Sequence, residues 1–160
     1  MLFAGIDYST KAIHVAAIDA DTGAWTHATV PLPTVPRGHA GRGVRQALRE
    51  HLPSTWWDEV DLAWIERAYG PAYLTDILAA VRGAILDAIP ERVTVDTISA
   101  KEWRHELGWA ALKKDAAKAA AIEWAHTNIP GQPNLNDNQA EAACIAYVAL
   151  QQSSRATGKD

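Results

Sequence analysis

The stretch Ala4-Gly5-Ile6-Asp7-Tyr8-Ser9-Thr10 constrains this chain more than any other. An apolar run from Leu2 ends in one acid, Asp7, and then turns through small polar residues. A carboxylate at the end of a buried strand is costly unless something pairs it. A cation shared among several oxygens is one such partner, and the sequence offers more acids to share it. Trp64-Ile65-Glu66 ends a second apolar run, and Asp137 and Glu141 open a C-terminal helical pattern. Four residues apart, Asp137 and Glu141 lie on one helix face, with Asn138 on nearly the same one. Converging carboxylates repel one another unless cations neutralise them, and an all-oxygen set suits Mg²⁺ or Mn²⁺. Each acid also has a plain structural reading. Asp7 caps the turn after its strand, Glu66 pairs with Arg67 at a sheet edge, and Asn136 or Asp137 caps the last helix. An early Glu141 then suits the positive end of that helix.

The order of the patterns predicts the fold class. Leu2–Asp7, Ala12–Asp19 and Trp25–Pro31 read as three consecutive strands, the last two joined through the turn signal Asp19-Ala20-Asp21-Thr22-Gly23. Residues 31–43 read as a proline- and glycine-rich loop, and Val44–His51 as a short helix. Val60–Glu66 is a fourth strand and Arg92–Ile98 a fifth. Between them Leu74, Ile77, Leu78, Val81, Ile85 and Ile89 keep helical spacing over Ala72–Ile89. Ser99, with Glu102 three residues on, predicts a capping box opening a helix over Lys101–Leu107. Lys113–Asn128 is an alanine-rich helix and Asp137–Gln152 the final one. The expected architecture is α/β, a mixed five-stranded sheet with three antiparallel strands followed by parallel ones, flanked by helices.

At 160 residues the chain is expected to form one domain over residues 1–152, with 153–160 a frayed tail. One cysteine, Cys144, excludes an internal disulfide and reads as core. No apolar run is long enough to span a bilayer, and no basic region precedes an apolar one at the N-terminus, so a cytoplasmic location is expected. The net charge of −4 argues against a strongly basic nucleic-acid binder. Locally the balance differs. Arg37, Arg42, Arg45 and Arg49 form an acid-free segment, and Lys101, Arg104, Lys113, Lys114 and Lys118 outnumber the acids between residues 101 and 118.

GIDYST, WIE, VRGAIL, LKKDAAKAAAIEW and DNQAEAACIA together resemble, in order and spacing, the motifs of RuvC-type Holliday junction resolvases. These belong to the ribonuclease H-like superfamily, and the likeness is to the compact kind found in bacteria and their phages. It covers most of residues 2–151. The resemblance implies a ribonuclease H-like fold, a homodimer and four carboxylates holding two Mg²⁺ (or Mn²⁺) ions. The implied activity is endonucleolytic: paired nicks that resolve four-way or branched DNA. Asp7 and Glu66 match the first two acids and Glu141 the last. The family places an acid three residues before the last, where this chain has Asn138; Asp137 is the neighbouring candidate for that role. Lys118 and either Lys113 or Lys114 fall where the family keeps bases near the scissile phosphate. Lys101, Arg104, Arg42 and Arg45 are further candidate DNA contacts, and a solvated helix face or loop is the competing reading for all of these bases. The helix Ala72–Ile89 is a candidate dimer element.

Other readings are weighed against this one. A ribonuclease H-like domain that binds nucleic acid without cutting would explain Asn138. An RNA-processing nuclease of the same fold shares the first strand. A sugar-kinase or actin-like ATPase also begins with GID, yet needs two domains and a second glycine-rich phosphate loop that this chain lacks. Trp103, Trp109 and Trp124 are candidates to stack on unpaired bases, or else core or dimer residues. His14 and His105 have no evident partner, and Tyr8 and Tyr69 flank the acids.

Overall fold

The computed structural model describes residues 1–34, 40–67, 72–129, 131 and 134–158. Arg37 and Tyr69 lie outside them. Five strands, β1 (Leu2–Tyr8), β2 (Ala12–Asp19), β3 (Trp25–Pro31), β4 (Val60–Glu66) and β5 (Thr94–Ile98), form one sheet in the order β3-β2-β1-β4-β5. β2 runs antiparallel to β1 and to β3, while β4 is parallel to β1 and to β5. This is the expected architecture. The β2–β3 turn forms because the Asp19 carboxylate accepts from the backbone N–H groups of Asp21 and Thr22. Gly23 then supplies the left-handed φ of 68° that closes it.

Helices α1 (Ala40–His51) and α2 (Ala72–Ala88) pack together on one face of the sheet. On the other lie α3 (Ala100–Glu106), α4 (Lys114–Asn128) and α5 (Asp137–Thr157). Strand alternation sorts the side chains between the layers. Ala4, Ile6 and Tyr8 of β1 join Val15, Ile65, Leu78, Val81 and Ile85 beneath α1 and α2. Phe3, Gly5 and Asp7 point the other way, toward α5.

Gly5 sets how near α5 can come. A Cβ at this position would collide with the Ala142 carbonyl oxygen and the Ala146 amide, and would sit 2.9 Å from the Ile145 Cβ. A glycine inside a buried strand marks close backbone approach. Ala142, Ala143 and Ala146 keep the facing helix surface equally small, and all three are buried.

Several boundaries differ from the sequence reading. α1 starts at Ala40, not Val44, despite Gly41 and Gly43: packing against α2 overrides their poor helix propensity, and Gly41 lies against Arg45 and the Ala80 carbonyl. β5 starts at Thr94 because Arg92 turns away to the backbone carbonyls of Val60 and Trp57. α5 runs past Gln152 to Thr157. Ser154 hydrogen-bonds back to the Leu150 carbonyl instead of breaking the helix, and Arg155 pairs with Glu106 at 2.8 Å before Gly158 ends it in a left-handed cap. Cys144 is core, as expected. The apolar spacing of α2 serves the core: Leu78, Val81, Ala84 and Ile85 are buried, and Leu86 is exposed. Among the described residues no helix is long and apolar enough to cross a membrane.

Candidate functional site

Three acids meet at the C-terminal ends of the central strands. In the parallel β1–β4 ladder Gly5 is opposite Trp64 and Ile6 opposite Ile65. One step further, Asp7, next to last in β1, and Glu66, last in β4, lie side by side and share the face toward α5. Glu141 lies on the first turns of α5, just before the Ala142–Ala146 surface that seats on Gly5. The residue is 6% exposed. Burial, then the charges of Glu66 and Glu141, push the Asp7 carboxyl up to about 8. Glu66 is also raised, first by burial, with Glu141 adding to it. Carboxyls raised by burial and by neighbouring carboxylates are short of positive charge.

The fourth acid sits slightly apart. Asn136 caps α5, its side chain accepting from the Gln139 N–H while Gln139 reaches back to the Asn136 N–H. Asp137 is thereby freed from capping and pairs with Lys118 of α4. That hydrogen bond holds Asp137 below the usual carboxylate range and raises Lys118, which also feels Glu141 and Asp7. Lys118 therefore reaches the acid cluster. Asn138 is half-buried beside it.

Two consecutive residues of α3 complete the site, and neither role was legible in the sequence. Trp103 is fully buried and donates its indole N–H to Glu66 Oε2 at 2.8 Å. It is therefore a core residue, not a base-stacking surface; Trp109 packs edge-on against it. Trp124 likewise packs edge-on with Trp25 and against Tyr147. Arg104, expected on DNA, instead pairs with Glu141 Oε1 at 2.8 Å and stacks over the Trp103 ring. The predicted capping box aims this helix: Ser99 and Glu102 exchange their hydrogen bonds, and Glu102 also binds Arg67. Arg67 is thus paired across to α3, not with Glu66.

His14, opposite Asp7 in the β1–β2 ladder, has a partner after all. Its Nδ1 shares a 3.1 Å hydrogen bond with Thr29 Oγ1, which also accepts from Gln139 Nε2. Burial lowers the His14 pKa, so the ring is neutral near pH 7. This network fastens the start of α5 to β3. Tyr8 faces the opposite side of the sheet and is buried.

The remaining candidate bases lie around this centre or away from it. Lys101, Lys113 and Lys114 are exposed on the α3–α4 side, and Lys101 and Arg104 line a cleft of about 470 Å³ with Ser99, Ala110 and Leu112. Arg42 and Arg45 are exposed on α1, where Arg45 pairs with Asp87 of α2 at 3.3 Å. They lie in the layer on the other side of the sheet from Asp7 and Glu141.

Among the described residues no three acidic, histidine or cysteine side chains close into a ready metal cage. The donor chemistry nonetheless fits a hard divalent ion: Asp7, Glu66, Glu141 and Asp137 are oxygen donors, and two of the four are paired with side-chain cations. Among the described residues Asp7, with its raised pKa, forms no ion pair and feels a cation only through the charge of Lys118.

No protein-family model matches the chain, and no curated protein matches it in sequence. Solved structures do match in shape. Thermus thermophilus RuvC in complex with a Holliday junction substrate aligns with a TM-score of 0.59 at 17% identity, covering 99% of this chain and 97% of that one. A second Thermus thermophilus RuvC structure gives 0.57 at 17% identity, covering 99% and 98%. With the strand order and flanking helices described above, this chain has the RuvC-like, ribonuclease H-like fold.

Proposed function

We propose that this protein is a metal-dependent endonuclease that resolves four-way or otherwise branched DNA by paired phosphodiester hydrolysis. The observation that carries the reading is the convergence of half-buried Asp7 and Glu66 with buried Glu141, Asp7 raised by the charges of the other two and all flanked by Lys118, on a fold shared with a resolvase. Asp7, Glu66 and Glu141 would hold divalent ions, with Asp137 or Asn138 as the fourth ligand. Bound Mg²⁺ or Mn²⁺, two ions per site in this reading, would activate a water and stabilise the leaving oxygen. Trp103 holds the Glu66 carboxylate at one oxygen and leaves Oε1 free of that bond. Lys118 brings a positive charge to the strand's phosphate beside the acids. The exposed Lys101, Lys113 and Lys114 extend that charge along the α3–α4 side, the path we assign to the DNA backbone. Arg42 and Arg45, on the far side of the sheet, would reach only a distant arm. Paired nicks need two such sites, so the working form is taken to be a homodimer.

Cleavage of a synthetic four-way junction in Mg²⁺, beside a linear duplex and an EDTA control, tests the reading. Symmetric nicks are expected, and Glu66→Gln should abolish them while leaving junction binding nearly intact. Binding without nicks in Mg²⁺ and Mn²⁺ alike would favour a non-cutting junction binder and implicate Asn138.

A further inference from the structure

Arg104 occupies ground that a metal ion would contest. Its Nη2 lies 2.8 Å from Glu141 Oε1, and the two side chains are 19% and 8% exposed. The same guanidinium is incompletely satisfied: its Nε is buried with no hydrogen-bond partner. A buried donor is normally filled, yet this part-buried guanidinium is held by a hydrogen bond to one carboxylate, by the Trp103 ring and by the nearby charge of Glu66. Beside the seat is open space. Arg104 itself lines the 470 Å³ cleft with Lys101, Ala110 and Leu112, so the side chain has somewhere to go without unfolding α3.

We propose that Arg104 is a positioning residue that serves as the resident counter-ion of the acid site and competes with the divalent metal for Glu141. The inference rests on reading these acids as metal ligands. Without metal, the guanidinium neutralises Glu141 and keeps three neighbouring carboxylates tolerable. When an ion arrives, Glu141 exchanges an organic cation for an inorganic one, and the guanidinium swings toward the cleft and Lys101. There it lies on the side assigned above to the DNA backbone, which brings the arginine to the role its sequence position suggested.

The consequence has an unexpected sign. Removing a merely structural arginine would loosen the site and weaken metal binding. Removing a competitor tightens it. The experiment uses the full chain freed of metal, with Mn²⁺ alone as probe, followed by the loss of free-ion EPR signal and by thermal unfolding. Arg104→Gln should bind Mn²⁺ roughly tenfold tighter or more, the scale of coupling between close buried charges. Its unfolding midpoint should also rise more on adding Mn²⁺ than that of wild type. Arg104→Lys, which keeps the charge, should stay near wild type. If wild type binds Mn²⁺, Glu66→Gln abolishes that binding, and Arg104→Gln binds no tighter, this inference alone is overturned. If wild type takes up no Mn²⁺, the metal reading fails and this inference fails with it. Should Arg104→Gln not fold without metal, wild type decides. In ¹⁵N-arginine-labelled protein the buried Arg104 Nε–H should exchange with solvent faster once Mg²⁺ is saturating, while the Arg155 signal stays unchanged. Unaltered Arg104 exchange overturns the proposal.

Discussion

Asp7→Asn should stabilise the metal-free protein at alkaline pH. The Asp7 carboxyl is raised from an ordinary 3.8 to about 8, first by burial and then by Glu66 and Glu141. An acid whose folded pKa exceeds its unfolded one keeps a proton in the fold that the unfolded chain has released. Stability contributed in this way is complete below about 4 and is lost as pH rises toward 8. Each unit is worth about 1.4 kcal/mol, so ionising Asp7 costs the metal-free fold on the order of 5 kcal/mol. Even half of that shifts the midpoint by roughly 5–10 °C in a chain of this size. Asparagine keeps the shape and an acceptor for the Tyr8 N–H that bonds the carboxylate, and it has no charge to lose. The assay is thermal unfolding by circular dichroism in EDTA from pH 5 to pH 9. Wild type should lose midpoint steadily with pH. Asp7→Asn should match it near pH 5, fall less, and overtake it by pH 9. Mg²⁺ should flatten the wild-type curve and leave the variant's unmoved. A wild-type midpoint that holds or rises between pH 5 and 8 without metal, with Asp7→Asn the less stable at pH 9, would refute the account of a cation-starved site.

Other outcomes follow from the same geometry. Gly5→Ala should destabilise by about 1–3 kcal/mol, because its methyl meets helix backbone with no side chain able to yield, and cleavage should fall with it as Glu141 is pushed from Asp7; denaturant titration beside a junction assay checks both. Asp137→Asn should cost far more cleavage than Asn138→Ala if Asp137 is the fourth ligand, and the reverse ranking assigns Asn138. Replacing Lys114 and Lys118 by Met should weaken junction binding and flatten its dependence on salt, and an unchanged slope returns both to a solvated helix face.

Much of this was readable before any coordinates, wherever a local rule decided the outcome. Asp7 and Glu66 stood out as acids ending apolar runs. The Ser99–Glu102 capping box and the Asp19–Gly23 turn depend on residues three or four apart, so their chemistry is written in one stretch. What stayed hidden depends on how distant elements rotate against each other. That Trp103 would meet Glu66, and Arg104 Glu141, depends on the roll of α3 over strands and helices far along the chain. The tie of His14 through Thr29 to Gln139 crosses two strands and a helix. The start of α1 at Ala40 is hidden because Gly41 and Gly43 disfavour a helix locally and only packing on α2 offsets them. Gly5, a glycine in the middle of a buried strand, does carry a local signal that another backbone presses upon it.

The seat of α5 on Gly5 also has a bearing on when the molecule acquires its chemistry. Glu141 and Asp7 come from opposite ends of the chain, and they meet only through that helix–strand contact. During synthesis the N-terminal strands emerge long before the last helix exists. Until it docks, Asp7 and Glu66 lack Glu141 and Asp137, and Lys118 of α4 lacks the carboxylate that holds it at the site. On the nuclease reading proposed above, the acid site is complete only once α5 has docked, and a copy lacking α5 should be unable to nick DNA.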